Sequence, residues 1–517
     1  MILGSLLAQI TPPPEPVGFQ PPSIDWMAIL PVLLLVGGAI VLLVTTALDR
    51  RPPTAGFPTL FTVVVAGATI ISAVSLWTEV DEDGPRLVLG DAVAVDGFSL
   101  FFTVLIGVAI ILTSLAADHY VTREDLPGPE LHALMMLSGA GGVIMASAND
   151  LIVLFLGLEV LSIALYVMAG FHLRREESRE AAVKYFVLGA FASAFLLYGI
   201  ALVYGATGTT NLFEIATFLA RNSLVADGLL MGGMALLLVG LGFKVAAVPF
   251  HAWTPDVYQG APTPVTGFMA AVAKAAGFAG LLRVFASGFG LFVDDWTPII
   301  GILAVLTLAL GSVLAIVQSD VKRALAYSSI SHAGYVLVGM QAGTSQGVAG
   351  SLFYLFVYAV MALGAFSVVT LVGRTGDAAH SLDDYRGLSR QRPYLAFALT
   401  VFLLAQAGVP LTSGFLAKLE VISAAVDAES YVLAVIAMLA AAVAAFLYLR
   451  IIVPMYSLAG DGGEGDGEDA GEPAPVALPF SAGLGITAAL AFTLLVGFLP
   501  DRMVDFAHDA TLLVGLG

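Results

Sequence analysis

Long apolar runs follow one another along nearly the whole chain, and most charged residues fall in the short stretches between them. Hydrocarbon offers no partner to a backbone N–H or C=O. A segment that crosses a bilayer must therefore satisfy its own groups, and a helix of ~20 residues does so in one span. Fourteen runs are discernible, at 25–47, 57–77, 97–117, 131–148, 151–171, 181–205, 228–249, 261–286, 297–317, 324–341, 347–373, 394–424, 430–456 and 478–499. They predict an all-α polytopic membrane protein with about 14 transmembrane helices. Only 12% of the 517 residues are charged. That is about half the ~25% usual in soluble domains, which excludes a soluble globule and a disordered chain. The run at 394–424 exceeds a single span and contains Gly408-Val409-Pro410. Proline lacks the N–H that continues a helical ladder, so a broken helix is expected there.

The formal net charge of −18 has the wrong sign for a nucleic-acid binder. Cysteine is absent from the sequence, so this chain supplies no disulfide, zinc thiolate or iron–sulfur ligand of that kind. No lysine precedes Ser or Thr, so there is no Walker A loop, and ATP is not expected as a ligand. Of the seven histidines only His332 lies clearly inside an apolar run, which argues against paired axial ligands to haem. The apolar stretch 2–10 has no basic residues before it and runs into Pro12, Pro13 and Pro14; a cleavable signal is not expected.

Basic residues set orientation. Loops after odd-numbered runs hold thirteen Lys and Arg, and the opposite loops with the C-terminal tail hold three. This asymmetry predicts both termini outside. The loop at 461–472 is acidic and glycine-rich, and reads as a solvated insertion on the inner side. A hint of internal repetition is also present. Run 7 carries Lys244 and then Pro249 and His251, and run 12 carries Pro410 and then Lys418. Interrupted helices at corresponding positions of two halves point to an inverted-repeat transporter.

Ionisable residues inside the runs carry the chemistry, because a charge at the bilayer centre costs ~2.5–3.5 kcal/mol or more. The deep ones are Glu159, Lys244, Lys274 and Lys418. Glu159 lies about 12 Å along its run and Lys274 about 20 Å along its own, both near mid-membrane at 1.5 Å per residue. The three lysines follow one another in depth across the membrane, an order that suits a proton relay. Each could instead be a structural ion pair. Lys184 follows Arg174, Arg175, Glu176, Glu177, Arg179 and Glu180, and reads equally as a solvated helix-end charge. Arg283, near a run's outer end, reads as a snorkelling side chain. His251 reads as interfacial or as part of the relay, and His332 as a hydrogen-bonded polar residue or as part of it.

The stretch Pro249-Phe250-His251-Ala252-Trp253-Thr254-Pro255-Asp256-Val257-Tyr258-Gln259-Gly260 and the stretch Leu325-Ala326-Tyr327-Ser328-Ser329-Ile330-Ser331-His332 resemble signatures of the antiporter-like subunits of respiratory complex I. With Lys184-Tyr185-Phe186-Val187-Leu188-Gly189, the likeness is to the subunit N family. The resemblance implies two inverted five-helix repeats, helices 4–8 and 9–13, with helices 7 and 12 broken. It divides the chain into N-terminal helices within residues 1–130, repeats at 131–290 and 291–456, an inner loop 457–477 and a last helix in 478–517. It implies proton translocation through Glu159, Lys184, Lys244, His251, Lys274, His332 and Lys418. It implies no cofactor in this chain, with flavin, iron–sulfur clusters and quinone in other subunits, and antiporter-like subunit M and small subunits K and J as partners in a bacterial inner membrane. The rival expectation is a subunit of a multi-subunit cation/proton antiporter, against which Tyr258-Gln259-Gly260 speaks.

Overall fold

The computed structural model describes residues 24–48, 56–222, 227–457, 478–510 and 512. The proline-rich N-terminus and the acidic loop at 461–472 lie outside them. Helices α1–α6 are Leu30–Leu48, Phe57–Asp83, Gly97–Glu124, Gly128–Ser147, Leu151–Ala169 and Glu176–Thr207. Helix α7 is Gly228–Val245, continued after a break by Thr254–Gly260, and α8 is Thr263–Gly288. Helices α9–α11 are Val293–Ile316, Val321–Gln341 and Ser345–Val372. Helix α12 has two halves, Pro393–Ala407 and Ser413–Asp427, and α13 and α14 are Tyr431–Tyr456 and Phe480–Phe498. Twelve helices among the described residues are long and apolar enough to span a membrane; α10 and the halves of α12 are not among them. Helix α10 is too polar because Lys322, Arg323, Ser328, Ser329, Ser331 and His332 sit on it. It is buried along nearly its whole length, so protein rather than lipid solvates those groups.

Several helices outrun their apolar segments. α2 extends to Asp83, α3 to Glu124, and α6 begins at Glu176. The start of α10 takes Lys322 and Arg323, expected in a loop, into its first turn, where the Asp320 side chain accepts from the Arg323 N–H. Such a cap satisfies one of the orphan N–H groups of a helix start. Two features were not expected. A hairpin pairs Arg86–Val88 with Val93–Val95, and a short amphipathic helix, Leu212–Arg221, buries Leu212, Ile215 and Leu219 on one face.

Both breaks repair their own hydrogen bonding, as a helix interrupted inside a membrane must. After α7, Ala246 turns left-handed, the Trp253 indole donates to the Phe243 carbonyl at 3.0 Å, and the Val248 N–H donates to Thr307 Oγ1 of α9 at 2.9 Å. In α12 the first half ends at Gly408, whose φ of +90° suits glycine alone among common residues. The halves of the chain pack alike. α4 lies on α5 as α9 lies on α10, and α6 lies on α7 as α11 lies on α12. The first two pairs approach closely, since a Cβ on Gly141 would strike the α5 backbone and one on Gly311 would strike Ser331. Helices α8 and α11 form the centre, buried almost completely.

Candidate functional site

Lys244, Lys274 and Lys418 are 3%, 3% and 6% exposed, and each ends on neutral oxygens rather than a carboxylate. Lys244, in the last turn of α7 before the break, donates to Ser162 Oγ of α5 at 2.8 Å and to the Tyr185 hydroxyl of α6 at 3.2 Å. Its ammonium also stands 5.3 Å from the centre of the Tyr185 ring. Lys274 follows directly on a π-helical turn, Met269–Ala273. Turns of that kind cluster at functional sites. Its ammonium binds the carbonyl of Ser329 and, at 2.6 Å, the Ser329 hydroxyl, both on α10, with the Tyr358 ring of α11 at 5.8 Å. Lys418 reaches back across the break in α12 and donates to the Ala407 carbonyl at 2.7 Å. That carbonyl ends the first half, where the helix dipole favours a cation. Lys418 also lies 4.9 Å over the Tyr335 ring.

His332 stands between Lys274 and Lys418. Its ring packs 4.7 Å from the Tyr358 ring, which faces Lys274, and Nδ1 lies 2.7 Å from the Tyr354 hydroxyl. Tyr354 in turn stacks on Tyr335, beneath Lys418. Glu159 is half-buried and accepts from Ser193 Oγ of α6 at 2.5 Å. It is not bonded directly to Lys244. A cavity of about 10 Å³ beside Lys244 is lined by Ser162, Tyr166 and Ser193 among others, and Ser193 is the residue that donates to Glu159. The cavity has room for roughly one water molecule.

The other expected residues stand apart. Lys184 is 40% exposed and binds Glu180 and Asp256, both at 2.6 Å; Asp256 also binds Arg323 at 2.7 Å. It belongs to an ion cluster at the helix ends rather than to the buried row. His251 is half-buried in the break of α7, and its Nδ1 has no hydrogen-bond partner among the described residues.

Arg283 corrects an expectation. It does not snorkel: it is 1% exposed and holds Asp96 through Nη1 at 2.5 Å and Nη2 at 2.8 Å. It also donates to the Ala146 carbonyl and lies 4.6 Å from the Phe98 ring. Central helix α8 has neither a lipid face nor a water face along which the side chain could run. Lys322 is likewise buried, bound to Asp377 at 2.9 Å and to the Ala261 carbonyl. Asp377, in the loop after α11, also takes Arg175, His380 and Thr263. Burial opposes its charge, but Lys322, His380 and Thr263 together hold the carboxyl well below the usual carboxylate range. Sequence reasoning missed the tyrosines, because a tyrosine in an apolar run reads as another aromatic. The four-residue spacing of Tyr354 and Tyr358, which puts both on one face of α11, was the available signal.

Residues 148–444, the stretch that carries Lys244, Lys274 and Lys418, match the family described as "NADH:quinone oxidoreductase/Mrp antiporter, TM". The NADH-quinone oxidoreductase subunit N of Salinispora arenicola is 42% identical over 522 residues, covering 95% of this chain and 98% of that one. The chain belongs to the NADH-quinone oxidoreductase subunit N family. The subunit N of Trichlorobacter lovleyi is 43% identical over 82% of this chain and 85% of its own length. A chain of respiratory complex I from Thermus thermophilus superposes with a TM-score of 0.76 at 32% identity, covering 92% of this chain and 99% of that one. A chain of the Mrp complex from Dietzia shares the fold, with a TM-score of 0.79, at 20% identity over 94% of this chain and 97% of that one.

Proposed function

We propose that this subunit N family member translocates protons as one membrane subunit of an NADH:quinone oxidoreductase, while other subunits carry electrons from NADH to quinone. The observation that carries the reading is the row of buried ammoniums at Lys244, Lys274 and Lys418, each resting on hydroxyl or carbonyl oxygens. A lysine can exchange a proton with such neighbours, and a hydrophobic surround keeps water from short-circuiting the path. Glu159 acts on Lys244 by way of Ser193, which borders the small cavity beside the lysine, and His332 joins Lys274 to Lys418. Lys184 serves at the inner mouth, where Asp256 and Glu180 hold it, and His251 serves at the break of α7. Two inverted five-helix units, α4–α8 and α9–α13, place the broken helices α7 and α12 at matching positions. The like packing of the two halves supports this. The chain is divided at 1–130, 131–290, 291–456, 457–477 and 478–517. It lies in a bacterial inner membrane with fourteen spans and both termini outside, beside subunit M and the small subunits K and J. Flavin, iron–sulfur clusters and quinone belong to other subunits.

Exchanging Lys244 for Met in the assembled complex is the test. NADH-driven proton uptake into vesicles should fall roughly 10²-fold, the scale of losing a proton-transfer group. Proton uptake at the wild-type rate would overturn the reading. Cation-driven proton exchange without NADH would favour the antiporter alternative.

Sidedness has its own test. Single cysteines replacing Asn222 and Ser457 in this cysteine-free chain should behave oppositely toward an impermeant thiol reagent added outside. The cysteine at 222 should be labelled and the one at 457 should not; the reverse pattern inverts the topology.

A further inference from the structure

His332 has a hydroxyl on each ring nitrogen. Tyr354 of α11 stands 2.7 Å from Nδ1, and Tyr448 of α13 stands 3.1 Å from Nε2. The Tyr448 hydroxyl also lies 2.5 Å from Ser328 Oγ, one turn before His332 on α10. Three helices thus bring four groups into one line, Tyr354–His332–Tyr448–Ser328. Every member is buried. In neutral form each is both donor and acceptor, because neutral imidazole carries its proton on one nitrogen and offers the other. Such a line can point in either direction. Its ends lie toward the two lysines: Ser328 adjoins Ser329, which Lys274 binds, and Tyr354 stacks on Tyr335, which Lys418 covers. The Tyr358 and Tyr335 rings that face Lys274 and Lys418 lie 4.7 Å and 6.2 Å from the His332 ring. An imidazolium buried between two cations would be costly, since like charges repel strongly where water is excluded.

We propose that Tyr354 and Tyr448 are proton-carrying residues of this subunit, and that His332 passes a proton between them by exchanging tautomers. The inference rests on the relay reading above. A proton reaching the Tyr354 oxygen displaces the phenolic proton onto Nδ1. The Nε2 proton leaves for the Tyr448 oxygen, and the proton of Tyr448 passes to Ser328 Oγ, which releases its own. One proton enters and one leaves, and each of the four groups is neutral before and after. A half-turn of the ring with rotation of the hydroxyls restores the starting direction.

Three variants and one isosteric probe test this in the assembled, membrane-reconstituted complex. Tyr354→Phe and Tyr448→Phe remove one hydroxyl each. His332→Gln keeps one donor and one acceptor for the two tyrosines but cannot exchange them, so it satisfies a merely structural role and fails a tautomeric one. All three should lower NADH-driven proton uptake roughly 10²-fold, while NADH oxidation by a soluble artificial acceptor stays at the wild-type rate. A fluorinated tyrosine at 448 keeps shape but makes the phenol more acidic. It should change both the pumping rate and its ratio in light and heavy water, and it decides the matter if a phenylalanine variant does not assemble. Wild-type pumping by His332→Gln, or a fluorotyrosine protein with unchanged rate and isotope ratio, overturns the proposal. Loss of pumping in Lys244→Met alongside wild-type pumping in these variants would spare the relay and remove only the tyrosine path.

Discussion

Lys274→Arg should stop NADH-driven proton uptake about as completely as Lys274→Ala. The substitution keeps the positive charge and removes the means of shedding it. Guanidinium has a pKa above ~12, so less than ~10⁻⁵ of it is neutral at pH 7. Lys274 is the sharpest place to ask the question. It sits on the most buried helix, its ammonium meets only Ser329 oxygens and the face of Tyr358, and no carboxylate bonds it among the described residues. A residue that merely anchors the α8–α10 contact should tolerate another cation that donates to the same oxygens. A residue that must alternate between charged and neutral should not. Arginine is bulkier, so Lys274→Gln and Lys274→Met serve as neutral controls of similar length. Proton uptake per assembled complex is the measurement. Near wild-type pumping by the arginine variant would end the titrating role of Lys274.

The second large effect concerns stability. Arg283→Met should destabilise the subunit by about 3–5 kcal/mol, because it leaves a buried carboxylate whose cationic partner has gone. Asp96 is fully buried and is gripped at two oxygens by Arg283, whose Nη2 and Nε also satisfy the Ala146 carbonyl. The pair ties the start of α3 and the end of α4 to the end of α8. Asp96 has a second task, accepting the Ser99 N–H at 2.9 Å as the cap of α3. Asparagine can perform that task without a charge. The double variant Arg283→Met with Asp96→Asn should therefore recover most of the loss. Thermal unfolding of the detergent-solubilised complex reads both. An Arg283→Met protein as stable as wild type would show that water reaches the pair.

Much of the architecture was legible because lipid is a severe solvent. It accepts few solutions, so runs of about twenty apolar residues announce helices whatever packs around them. Gly408 and Pro410 announced the break in α12 for the same local reason: one permits positive φ and the other lacks an N–H. Lys244, Lys274 and Lys418 stood out because a cation in an apolar run is costly to insert, whether it then serves an ion pair or a relay. The same reasoning misplaced Arg283 and Lys322. Both lie at run ends, where hydropathy sees an interface, and only the packing of α8 and α10 in the interior denies them water.

The sequence alone determined the kind of crossing segment, the break in α12 and three of the deep cations, Lys244, Lys274 and Lys418. Those follow from interactions between each residue and its solvent or its own backbone, which are local. Partnership is not local, and tertiary structure decided it. Ser329 sits under Lys274, Tyr354 and Tyr448 flank His332, and Ser162 with Tyr185 rather than Glu159 bonds Lys244. These contacts join residues 22 to 116 positions apart. A tyrosine or serine in an apolar run carries no sign of which buried group it will meet, because hydroxyls satisfy many partners equally well. The docking of α8, α10, α11 and α13 chooses among them.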